Sequence, residues 1–139
     1  MKLSSAAGYA LSAVAYMAVS KGNQPIASHV MARARGIPER FLLKVLKPLV
    51  SARILASVKG PNGGYRLTRT AQQLTVLNII EAVDGPIRGH VPRLDGDSNT
   101  RLDRSLEHVC RDAAQVVRAQ LSRVRLSTLL GKAAKLARS

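Results

Sequence analysis

Between residues 59 and 67 the chain reads Lys59-Gly60-Pro61-Asn62-Gly63-Gly64-Tyr65-Arg66-Leu67, and no other stretch limits the fold as much. It lies between two short β-prone runs, Ile54 to Val58 and Tyr65 to Leu67. Asn-Gly and Gly-Gly tolerate the positive φ that bulkier residues resist, so a tight hairpin closed at these residues is expected. Its flanks are basic, with Lys59 on one side and Arg66 and Arg69 on the other. Alone, a solvated surface hairpin has the same signature. The preceding segments give it a more specific meaning.

Residues 5–21 read as a small-residue helix, with Ala6, Ala10, Val14 and Met17 apolar nearly all round, which suits close internal packing. Lys21-Gly22-Asn23 ends it. A second helix is expected over about 26–35, with Ile26, Val30 and Ala34 at spacings of four, ending at Gly36. The turn Gly36-Ile37-Pro38 leads into a third helix over about 38–51. There Phe41, Leu42, Val45, Leu46 and Leu49 share one side, while Arg40, Lys44 and Lys47 share the other. Pro48 cannot donate to the Lys44 carbonyl, so the last turn is expected to kink or loosen. A helix with an aliphatic back and a cationic front, followed by a basic hairpin, is the pattern of a winged helix-turn-helix.

Charge supports that assignment. Residues 1–71 hold 11 basic and 1 acidic side chain, a net of +10, whereas residues 72–139 hold 11 and 7, a net of +4. Such a field favours a polyanion: nucleic acid, or less specifically an anionic membrane. The apolar run from Ala6 to Val19 superficially resembles a signal sequence. However, Tyr9, Ser12 and Tyr16 interrupt it, and it falls short of the ~20 residues of a spanning helix. One cysteine, Cys110, excludes an intramolecular disulfide and fits a reducing cytoplasm.

After the hairpin, Leu74 to Val83 reads as a fourth helix ending at Asp84-Gly85-Pro86, followed by a polar loop over 86–101. A long amphipathic helix is expected over about 102–124. Its apolar stripe comprises Leu102, Leu106, Val109, Ala113, Val116, Val117, Leu121 and Val124. A last short helix starts near Ser127, read as its N-cap, and carries Leu129, Leu130, Ala133 and Leu136. A long helix with one apolar stripe and no further domain to cover it implies self-association. Packing back onto its own domain is the alternative. The expected organisation is therefore mainly α with a small β-hairpin: a winged helix-turn-helix over 1–85, the loop over 86–101, and a dimerisation helix plus short terminal helix over 102–139.

These residues resemble the Rrf2 family of bacterial transcription regulators over nearly the whole chain. The resemblance rests on Met1-Lys2-Leu3-Ser4 with Gly8-Tyr9-Ala10-Leu11, on Gly36-Ile37-Pro38, and on the hairpin Ser57 to Leu67. Leu74-Thr75 to Ala82-Val83-Asp84-Gly85-Pro86 and the closing Leu126-Ser127-Thr128-Leu129 extend it. It implies a homodimer paired through the long helix, with the third helix in the major groove of double-stranded DNA and the wing on the minor groove or phosphates. The candidate DNA-contacting residues are Ser28, Pro38, Arg40, Phe41, Lys44 and Lys47, with Lys59, Gly60, Pro61, Asn62, Gly63 and Arg66 from the wing. Leu43 departs from the family, falling where some relatives place a polar base-reading side chain. An apolar residue there touches a thymine methyl or packs aside.

A second departure concerns the sensor. Many members of the family hold an iron–sulfur cluster with three cysteines between the fourth helix and the dimerisation helix. Here Pro86 to Val109 contains none. Arg104 falls about where the last such cysteine would be, and Cys110 about where relatives carry an aromatic residue. No cofactor is expected. Asp95-Gly96-Asp97-Ser98-Asn99 echoes a calcium loop, but Thr100 and Leu106 replace its required Gly and Glu. His90, His108 and Cys110 are candidate transition-metal ligands, although His108 and Cys110 point apart on one helix.

The expected function is a cytoplasmic, homodimeric, sequence-specific repressor without a cluster. Alternatives are a redox- or metal-responsive regulator of the same fold using Cys110, and a non-specific nucleic-acid-binding protein. A small-molecule effector is left open. A hydrolase using Cys110 fails for want of an activating His.

Overall fold

The computed structural model describes residues 1–91 and 101–131. Its elements run α1 (Ser5–Val19), α2 (Ser28–Arg35), α3 (Glu39–Ser51), β1 (Leu55–Val58), β2 (Gly64–Leu67), α4 (Val76–Asp84), α5 (Arg101–Ser122) and α6 (Leu126–Leu130). The core lies where α1, α3 and α4 meet. Ala7, Ala10 and Ala13 are fully buried on α1, and their small side chains let the flanking helices approach closely. From α3 come Leu42, Leu46 and Leu49, also fully buried, so truncating any one of them to Ala costs about 2–5 kcal/mol. The helix runs through Pro48 to Ser51, so the proline does not end it.

Ser4 caps α1, its hydroxyl accepting from Ala7 N at 3.0 Å and donating to the Asp84 carboxylate at 2.7 Å. This ties the start of α1 to the end of α4. Gly36, at φ 66°, ends α2 in the left-handed conformation, and Ile37 enters the core before α3 starts.

The hairpin turns differently from the tight closure at Asn62-Gly63 and Gly63-Gly64 that the sequence leads one to expect. β1 and β2 are antiparallel, pairing Leu55 with Leu67 and Val58 with Gly64, so five residues span the gap. Gly63 N donates to Gly60 O at 3.0 Å, closing a turn with Pro61 at its second position. Positive φ falls on Gly60 (108°) and Gly64 (149°), not on Asn62 or Gly63. At Gly64 a Cβ would overlap the Ile26 carbonyl, because Ile26 pairs with Tyr65 through a single-residue antiparallel bridge. Ile26 and Tyr65 exchange N–H···O bonds of 2.9 Å in both directions.

That pairing also corrects the second helix. Ile26, expected as its first apolar position, instead bridges to β2 through its backbone, and α2 begins at Ser28. A similar effect shortens the fourth helix from the expected Leu74 start. Thr75 is extended, and with Leu74 it pairs with 124–126 through Val76 N to Val124 O and Leu126 N to Leu74 O, both 2.9 Å. Thr75 then caps α4 reciprocally with Asn78. The same bridge fixes the start of α6. Arg125, not Ser127, stands at its N-cap, and Ser127 N donates to Ala71 O. Ala133 and Leu136 lie outside the described residues, as does the Asp95 to Asn99 segment.

Along α5 no residue is fully buried, although it spans 22 residues or about 33 Å. The stripe expected from sequence divides into two. Leu102 (72% exposed), Leu106, Val109 (61%), Ala113 and Val116 (70%) face outward at spacings of four and three. Val117, Leu121 and Val124 are half-buried. Leu121 and Val124 pack with Ala7, Val76 and Ile80 of their own domain, and Val124 lies beyond the helix end.

Candidate nucleic-acid interface

The outward side of α3 is built around Phe41. Its ring is half-buried and stacks on Tyr9 of α1, with centroids 6.4 Å apart and planes 10° from parallel. The Arg40 guanidinium sits 4.6 Å from the ring centroid and the Lys44 ammonium 5.8 Å. Cation–π attraction therefore holds two long cationic side chains against an aromatic anchored in the domain, restricting their rotamers. Lys47 is exposed one turn beyond Lys44. The expected separation of aliphatic back from cationic front is present, with Phe41 at the boundary between them.

Leu43 is 42% exposed, so it does not pack aside. It stands on the same side of α3 as Glu39 and Lys47, four residues from each. Pro38 precedes α3 and its carbonyl accepts from Phe41 N and Leu42 N at 3.0 Å each, starting the helix without a side-chain cap. Ser28, the first residue of α2, donates through Oγ to Glu39 Oε1 at 3.0 Å. Ser28 is among the candidates expected from sequence, whereas its partner Glu39 is not. The available signal was that Glu39 is the single acid among residues 1–71.

In the wing, Lys59, Gly60, Pro61 and Asn62 are exposed, while Gly63 is half-buried with its Cα close to the Val58 carbonyl. Arg66 is half-buried on β2 opposite Ala56. Tyr65 and Leu67, on the other face of the strand, pack against the core, which leaves Arg66 on the outer face. Arg69, one of the basic flanks, donates to the Ala52 carbonyl at 3.5 Å, and Thr68 Oγ1 to that of Arg53. These bonds brace the exit from α3, where Arg53 takes φ 59°. Helix α3 and the hairpin are thus fixed to each other as well as to the core.

The beginning of the loop is anchored to α5. Glu81 Oε2 accepts from Ile87 N at 2.8 Å, and both Glu81 oxygens accept from the Arg118 guanidinium at 3.0 Å. The Arg118 hydrogen bonds hold the Glu81 carboxyl below its usual value, opposed by partial burial and aided by Ile87 N. Gly89 lies against the α5 backbone at Cys110 and Arg111, where a Cβ would overlap it. A cleft of about 510 Å³ between the N-terminus, α4, this loop and α5 is lined by Leu3, Ile80, His90, Cys110 and Val117 among others. Cys110 is a half-buried free thiol. His90 shares its cleft, whereas His108 points to solvent and lies 3.4 Å from Asp112.

This donor set does not fit the thiolate-held cluster that the resemblance brings with it. The whole chain has one cysteine. Among the described residues, no three His, Cys, Asp or Glu side chains converge. Nor, among the described residues, is any helix long and apolar enough to cross a membrane.

Comparison with known proteins agrees with this architecture. The family model described as "Rrf2: Iron-dependent Transcriptional regulator" matches residues 3–132. The HTH-type transcriptional regulator IscR of Sodalis glossinidius is 31% identical over 132 residues, covering 94% of this chain and 79% of that protein. An HTH-type transcriptional regulator of Mycobacterium tuberculosis is 31% identical over 87 residues, 63% of this chain, and the match spans about half (54%) of its length. Among solved structures, CymR, the global cysteine regulator of B. subtilis, superposes with TM-score 0.72 at 25% identity over 93% of this chain and 95% of that one. T. potens IscR gives the same TM-score at 23% identity, covering 100% of this chain and 93% of that one, a likeness of fold. The family model spans nearly the whole length, and the chain belongs to the Rrf2 family of transcriptional regulators.

Proposed function

We propose that this chain is a sequence-specific DNA-binding transcriptional regulator: a homodimeric repressor, working in the cytoplasm without an iron–sulfur cluster. The observation that carries this reading is the outward face of α3, where Arg40 and Lys44 are held on the Phe41 ring beside the exposed Leu43 and Lys47. Cations supply sequence-independent attraction to phosphates. An exposed leucine among them does not, and a thymine methyl in the major groove is its natural counterpart. The outward stripe of α5, from Leu102 to Val116, is the surface through which two copies pair, placing two groove helices on two half-sites.

Competition tests the reading. A duplex selected from random DNA, labelled and bound, should resist displacement by random duplex at roughly 10³-fold higher affinity or more. Displacement by random DNA at equal concentration would instead identify a non-specific nucleic-acid-coating protein. Protein purified anaerobically from iron-replete cells should be colourless, and a brown protein with stoichiometric iron and acid-labile sulfide would contradict the cluster-free assignment.

A further inference from the structure

Residues 1–71 carry 11 cations and one carboxylate, and that carboxylate is Glu39, the first residue of the groove-facing helix. It is exposed. Its Oε1 accepts from Ser28 Oγ at 3.0 Å, and among the described residues no cation lies within ion-pairing distance of it. In the DNA-binding reading above, on which this inference rests, Glu39 approaches a polyanion. There it weakens binding to every duplex unless a base donates a hydrogen bond to it.

Major-groove edges offer two such donors, cytosine N4 and adenine N6. Adenine presents its amino group beside the N7 acceptor, which repels a carboxylate, whereas cytosine presents N4 alone. We propose that Glu39 is a specificity-determining residue that accepts a hydrogen bond from the N4 amino group of a cytosine. Ser28 orients the carboxylate from the neighbouring helix before DNA arrives, so less freedom is lost on contact. Leu43, one turn further along the same row, covers the adjacent step of the groove. Glu39 thus rejects wrong sequences electrostatically as well as selecting the right one.

Selection from random duplexes, run in parallel with the full chain and with Glu39→Gln, Glu39→Ala and Ser28→Ala, tests this. The wild type should prefer cytosine at one position of each bound site by roughly tenfold. Glu39→Gln, whose amide pairs with adenine N6 and N7, should move that preference to adenine. Glu39→Ala should abolish it while binding random DNA several-fold more tightly. Ser28→Ala should reduce it without moving it. If both Glu39 variants select the wild-type sequence at every position and lose affinity equally on all duplexes, Glu39 serves only the end of its helix and the proposal fails. A wild type that selects no sequence at all would overturn both this proposal and the reading it rests on.

Discussion

Gly64 has no room for a side chain, because the Ile26 carbonyl occupies the place of a Cβ and φ stands at 149°. Gly22 also has positive φ (68°) but nothing within contact distance of a Cβ. Alanine at Gly22 should therefore cost about 1–2 kcal/mol from backbone strain alone. Alanine at Gly64 should cost more, roughly 3 kcal/mol or above, because the Ile26–Tyr65 pairing must also separate. Urea denaturation of the two variants checks this, and equal costs would contradict the role of the Ile26–Tyr65 bridge. The sequence showed that glycines were needed in the wing. It could not show that the partner was Ile26, 38 residues earlier, because a single residue bridge leaves no alternation to read. Arg40, Lys44 and Lys47 were legible by helical spacing. Glu39 was not, since its meaning depends on Ser28 in another helix.

Helices were legible wherever periodicity set them, and their ends were misplaced wherever a distant backbone claimed them. Ile26, Leu74 and the start of α6 are all such places, each held by hydrogen bonds to segments far along the chain. The division of the α5 stripe was likewise hidden, because the inner and outer apolar rows are adjacent on one helix and merge in a periodicity count. What docks the inner row is partly electrostatic. Glu81 on α4 binds Arg118 on α5 and the backbone of Ile87, and its folded-state pKa lies below the ordinary 4.5. A lowered carboxyl pKa stabilises the fold fully above the unfolded value and loses that contribution as pH falls through the folded one. Glu81→Gln should therefore lower Tm at neutral pH, with the gap to wild type closing below about pH 4.5. Thermal unfolding across that range measures it, and a gap unchanged into acid would mean the clamp contributes nothing through its charge.

For the whole molecule, charge and hydrophobicity are segregated. The half with net +10 holds α3 and the wing, and the C-terminal half carries an apolar row that stays exposed among the described residues of one copy. Val109→Asp with Val116→Asp would place carboxylates in the centre of that row at a cost of several kcal/mol to pairing, while touching none of the domain core. Light scattering should then report monomers, with operator binding weakened because two half-sites require two linked heads. A dimer that survives would place the seam elsewhere.

If α3 and the wing grip DNA as a fixed pair, the salt dependence of binding resides in their cations. Affinity for the selected duplex should fall linearly in log–log form, and Lys59→Ala should reduce the slope by roughly 0.9 for the phosphate contact removed. Arg123→Ala, exposed beyond the end of α5, should leave the slope unchanged. Equal reductions from both substitutions would rule out a localised grip and indicate diffuse attraction to the protein's net charge.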